Sequence, residues 1–126
     1  MKLEELEQRL DLLKQGEMIS DQSYKITKAA FTETMNVLKV DDIKHGEMLF
    51  THLPMSLTRI EKGEEVGNPP SEVLEQIAQS SHYPLAKKLT AFIEELWTKS
   101  LPQGEKDFLY MHFANVLENN NGGVKR

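Results

Sequence analysis

Between a few glycine and proline breaks, the apolar residues of this chain recur every three or four positions and nowhere sustain an alternation. That period is the one an α-helix needs to line up one face, and it leaves no segment that reads as a half-buried strand. The breaks are Gly16, Gly46, Gly63, Gly67 with Asn68-Pro69-Pro70, Pro84, Leu101-Pro102 with Gly104, and the run from Asn119 to Gly123. They separate six amphipathic segments. The expected fold is therefore all-α, a compact bundle of about five or six helices.

The first segment, Lys2 to about Gln15, places Leu3, Leu6, Leu10 and Leu13 on one stripe, and Gly16 is positioned to stop it in a left-handed conformation. The second, about Asp21 to Leu38 with Ser20 or Asp21 as cap, is apolar on two sides, through Tyr24, Phe31, Met35 and Leu38 and through Ile26, Ala30 and Val37. A helix of that kind belongs in the centre of a bundle. The third runs from about Glu47 to Glu61, with Leu49, Phe50, Leu53, Leu57 and Ile60 inward and Pro54 inside the pattern. Proline removes a backbone donor and clashes with the preceding turn, so two readings stay open. Either Thr51 caps a helix that holds Pro54 in its first turn, or a longer helix is kinked at Pro54. The fourth segment, Pro70 or Ser71 to Gln79, is expected to bury Val73, Leu74 and Ile77. The fifth, Pro84 to Lys99, is expected to turn Leu85, Leu89, Phe92, Ile93 and Leu96 inward, with Trp97 beside them. The sixth, Gly104 to Glu118, carries Phe108, Leu109, Phe113, Val116 and Leu117 and ends in an asparagine–glycine cap and a frayed tail. The predicted core is Phe31, Phe50, Leu53, Leu57, Leu89, Phe92, Ile93, Phe108, Leu109 and Val116.

A length of 126 residues suits one domain. Within it the helices over 2–38 would precede a core over 46–119 and a tail over 120–126. With 15 Lys+Arg against 20 Asp+Glu the formal net charge is −5, which disfavours direct nucleic-acid binding. No apolar run approaches the ~20 residues of a membrane span. The charged opening MKLEELEQRL does not read as a signal peptide. The absence of cysteine excludes disulfides, thiolate metal sites and a thiol nucleophile, and fits a cytoplasmic protein.

Chemistry therefore rests on four histidines, His45, His52, His82 and His112. None forms the i, i+3 or i, i+4 pair of a helical metal site, and no HExxH, G-x-S-x-G or P-loop pattern is present, so neither a metal nor a cofactor is expected. On a helix, His52 shares a face with Met55 or Ser56 and with Arg59, two turns on. An imidazole beside a guanidinium can receive a phosphoryl group, because arginine offers paired donors to phosphate oxygens. Spacing alone, however, favours a boundary histidine with a solvated arginine. His112 lies at the edge of the Leu109–Val116 face and reads as a partly buried histidine. His45 and His82 read as solvated turn residues without a role.

Four elements in order give a more specific reading. They are His52-Leu53-Pro54 with Arg59 and Gly63, then Gly67-Asn68-Pro69, then Tyr83-Pro84-Leu85-Ala86, then Leu101-Pro102-Gln103-Gly104-Glu105 leading to Phe108 and His112-Phe113. Together they resemble the PTS regulation domain, or PRD, of bacterial sugar-responsive antiterminators and activators. The resemblance implies an all-α, often dimeric module whose two histidines take phosphoryl groups from the sugar phosphotransferase system, with the carrier HPr or an EIIB domain as donor. It places the phosphoacceptors at His52 and His112, and phosphate-contacting or supporting roles at Arg59, Thr51 and Asn68. Thr51 stands where the family usually has an acidic residue. The chain reads as a stand-alone regulatory module, not an enzyme, acting as a homodimer and through a separate transcription regulator. The alternative is a phosphate-independent helical dimerisation or interaction module.

Overall fold

Phe31 and Phe50 meet edge to face, with ring centroids 4.8 Å apart, at the centre of six α-helices. These are α1 (Leu3–Gln15), α2 (Asp21–Leu38), α3 (Glu47–Glu61), α4 (Ser71–Ala78), α5 (Tyr83–Trp97) and α6 (Gln103–Asn121). The structure, a computed structural model, describes residues 1–64, 67–97 and 99–121. Among the described residues there is no strand, only an isolated bridge between Lys2 and Asp42. None of the helices is long and apolar enough to cross a membrane.

α2 is the central helix, as its two apolar stripes require. It packs on α1, α3, α5 and α6 and buries Ile26, Ala30, Phe31 and Leu38. Ser20 caps it by accepting the Ser23 N–H at 3.1 Å. The turn before it differs from expectation. Gly16 has φ −83°, and the left-handed residue is Glu17, at φ 60°. α1 is tied down at its start, where the Met1 ammonium donates to Asp42 Oδ1 at 2.7 Å and to the Ile43 carbonyl at 2.6 Å.

α3 settles the question posed by Pro54. The helix begins at Glu47, with Gly46 before it, and runs on through Pro54, so Thr51 is an interior residue and not a cap. Pro54 cannot donate to the Phe50 carbonyl, a lost bond that the buried Leu49, Phe50, Leu53 and Leu57 face offsets. A glycine suits position 46, since a Cβ there would lie 3.1 Å from Ile43 and 3.3 Å from Phe50.

Most of the predicted core is buried, but Phe92 and Phe108 are only half-buried. The inward face of α5 is rotated from the expected one. It comprises Ala86, Leu89, Thr90, Ile93 and Trp97, while Leu96 is 39% exposed and Leu85 is half-buried. Ala86 lets the backbone come close, and Thr90 loses little on burial because its hydroxyl donates to the Ala86 carbonyl at 2.9 Å. α5 stops at Trp97, short of Lys99. α4 buries no residue fully. Its Val73, Leu74 and Ile77 are half-buried, as two turns packed mainly on α6 allow. α6 continues past the expected end at Glu118 to Asn121. Asn120 explains the extension. Its amide accepts the Lys44 N–H at 2.7 Å and donates to the carbonyls of Lys44 at 2.8 Å and Val116 at 2.7 Å. The predicted frayed tail falls, over 122–126, outside the described residues.

Candidate functional site

Two histidines 60 positions apart in sequence come together because α3 packs on α6. The rings of His52 and His112 lie 5.1 Å apart between centroids, and Phe108 sits against both, at 5.7 Å from His52 and 6.4 Å from His112. The half-burial of Phe108 follows from this, since its ring packs against imidazoles at the bundle's edge and not in the central core.

Beneath His52 lies a carboxylate that sequence spacing does not reveal. Glu105, in the first turn of α6, is fully buried. Its Oε1 accepts the hydroxyl of Ser56 at 2.7 Å, and its Oε2 lies 3.3 Å from His52 Nε2. The second contact is close enough for charge attraction but is not aligned as a hydrogen bond. Both Oε2 and Nε2 are buried without a hydrogen-bond partner among the described residues. A carboxylate is tolerated there in part because the helix N-terminus carries partial positive charge. Ser56 follows His52 by one turn of α3, which brings both to the same carboxylate. Glu105 thus supplies, from another helix, the carboxylate that Thr51 does not supply beside His52.

His52 keeps 27% of its side chain exposed and opens onto a groove of about 730 Å³. Arg9, His45, Thr51, Met55, Arg59 and Asn115 also line it. Arg59 therefore stands in the same groove as His52, as the two-turn spacing suggests. Thr51 lines it too, accepting a hydrogen bond from Arg9 Nη1 at 3.4 Å. Among the described residues, neither Arg9 nor Arg59 has a carboxylate within ion-pair distance. Two guanidiniums without an ion-pair partner among the described residues, against the one carboxylate of Glu47 in the lining, give this groove a local positive balance on a chain of net charge −5.

His112 opens onto a second groove of about 420 Å³, between α4 and α6, lined among others by Val73, Gln76, Ile77, Met111 and Glu118. Met48 and Asn115 line both grooves, so the two adjoin. Burial pushes the His112 pKa down to about 4, helped by the neighbouring His52 and opposed by Glu105. Its ring is neutral near pH 7 and has a lone pair to offer.

Asn68 does not line either groove. It lies over Gly104, where a Cβ would collide with its Oδ1 and with the Gly67 carbonyl. The turn thereby packs onto the start of α6, one residue before Glu105. His82 also departs from expectation. It is buried, not solvated, with Nε2 3.1 Å from Glu118 Oε1. His45 is exposed, with φ 59°, and borders the His52 groove. No group of three or more His, Asp or Glu side chains among the described residues could hold a metal ion.

Glu105 had one legible signal, as the acidic residue of the Leu101-Pro102-Gln103-Gly104-Glu105 element, but nothing local ties it to His52. Arg9 had none, because its partner Thr51 is 42 positions away. The family model described as PRD domain matches residues 37–116, more than half of the chain and a span that includes His52, Ser56, Arg59, Glu105 and His112. No curated protein and no solved structure matches.

Proposed function

Since the chain belongs to the PRD domain family, whose members are regulatory modules, we infer that it is a regulatory protein phosphorylated on His52, His112 or both by the sugar phosphotransferase system. It acts on transcription through a separate regulator. The observation that carries this reading is the convergence of the two imidazoles, 5.1 Å apart, beside a groove lined by Arg9 and Arg59. A histidine nucleophile needs a free lone pair, an approach path and cations for the incoming phosphoryl oxygens. The neutral His112 ring has such a lone pair, and the groove at His52 gives that histidine an approach path and two neighbouring arginines.

The phosphodonor is HPr or an EIIB-type domain, which approaches from the groove side. By analogy with phosphoserine, each phosphoryl group adds about −1.5 to −2 charges. In a homodimer that places this groove near its two-fold axis, the added charge meets its symmetry mate and changes the packing. That change is what a partner regulator reads. Incubation with phosphoenolpyruvate, Enzyme I and HPr, and separately with EIIB domains, tests the reading by mapping acid-labile phosphate. Label on His52 or His112 is expected. Absence of label with every donor would leave the phosphate-independent interaction module in its place.

A further inference from the structure

We propose that His52 takes its phosphoryl group on Nδ1, and that Glu105 is the positioning residue that fixes this choice by occupying the Nε2 side of the ring. The proposal rests on the functional reading above and adds the reacting atom. Three observations carry it.

The first is access. His52 Nε2 is sealed from solvent at the bottom of the site, whereas Nδ1 is not among the sealed atoms and makes no hydrogen bond among the described residues. The exposed part of the ring faces the groove that holds Arg9 and Arg59. With Nε2 closed to a donor arriving through the groove, Nδ1 is the ring nitrogen left to react.

The second is the tautomer. An ionised carboxylate only accepts hydrogen bonds. With Oε1 committed to the Ser56 hydroxyl, Oε2 is left facing Nε2 at 3.3 Å. A small rotation of the ring aligns Nε2–H with Oε2 and satisfies two buried atoms that otherwise have no partner. A proton held at Nε2 leaves the lone pair on Nδ1, where a nucleophile needs it.

The third is charge. A phosphoryl group on Nε2 would sit against a fully buried carboxylate, like against like. On Nδ1 it is directed away from Glu105, and the groove that His52 lines carries Arg9 and Arg59. The transfer balances without a further reactant. The Nδ1 lone pair attacks phosphorus, the bond from phosphorus to the donor atom breaks, and the donor leaves with that electron pair. His52 keeps its Nε2 proton, so the ring gains a positive charge that faces Glu105.

Potassium phosphoramidate tests this without a protein donor, since it transfers its phosphoryl group to imidazole and releases ammonia. The full chain is treated near neutral pH, sites are mapped by tandem mass spectrometry, and ³¹P NMR distinguishes the Nδ1 and Nε2 isomers. Exposed His45 is the internal standard for reactivity. The expected result is Nδ1-phosphohistidine at His52. Glu105→Gln should slow labelling of His52 relative to His45 by about tenfold or move it to Nε2. Ser56→Ala, which leaves the carboxylate in place, should act in the same direction but less. The Nε2 isomer at His52 in the unaltered chain, or labelling of His45 without His52, would overturn the proposal. So would unchanged rate and isomer in both variants. Because the reagent needs no phosphotransferase protein, these outcomes are separate from a failure of HPr or EIIB to act as donor.

Discussion

His112 makes the stability of the fold depend on pH. Its pKa is about 4 in the folded chain, against 6.5 for a free imidazole, because burial and the nearby His52 disfavour the charged ring. A depressed pKa means that the unfolded chain binds more protons between these values. Stability is therefore complete above about pH 6.5 and is lost as pH falls toward 4. Between pH 7 and pH 4.5 the shift integrates to about 2.4 kcal/mol. The ring is half-exposed and water screens part of its charge, so about 1–2 kcal/mol is the expected loss. Asp21 and Asp42 also titrate with folding, held down by Lys14 and by the Met1 ammonium, but both act only below their ordinary value of 3.8. Urea unfolding at pH 7 and pH 4.5 gives the measurement. The chain should lose about 1–2 kcal/mol more across this interval than a His112→Gln variant does. Equal losses in the two proteins would refute the reasoning.

Other perturbations follow from the packing and the site. Leu57→Ala empties a fully buried position in α3 and should cost about 2–5 kcal/mol, read as a lower urea midpoint. Gly104→Ala should destabilise and should lower the reactivity of His52, because the added methyl group displaces the 67–68 turn from the start of α6 beside Glu105. Unchanged melting and unchanged labelling would show that this close approach does not matter. His52→Asp or His112→Asp should shift the monomer–dimer balance in sedimentation velocity, and alanine should shift it less or in the opposite direction; identical profiles for all would remove support for a charge-driven interface.

The helices were legible where one apolar period dominated. α2 and α3 stand at their expected bounds, and the pairing of His52 with Arg59 in one groove follows from a two-turn spacing. Positions set by contacts across the fold were not legible. Glu105 is legible only as part of the Leu101–Glu105 element, and its place beneath Ser56 and His52 comes from the packing of α3 on α6. His82 reads as a turn residue until Glu118 of α6 meets it. On α5 bulk is a poor guide to burial, since the small Ala86 and the self-satisfied Thr90 occupy the interior in place of Leu96. At the end of α6 an asparagine run signals a stop, but Asn120 bonds the backbone of Lys44 and the helix runs on.

α4 is the one helix described without a fully buried residue, and it forms the wall of the groove at His112. An element with so little buried surface is of the kind that opens locally while the core stays intact. Its amide hydrogens should exchange with solvent well before those of α2 or α3. Each excursion removes Val73, Gln76 and Ile77 from beside His112 and bares that ring, while His52 already faces the larger groove with α4 in place. If both histidines, 5.1 Å apart, take a phosphoryl group, they would answer on different clocks: His52 to the arrival of a reactant, His112 to the fluctuation of two helical turns.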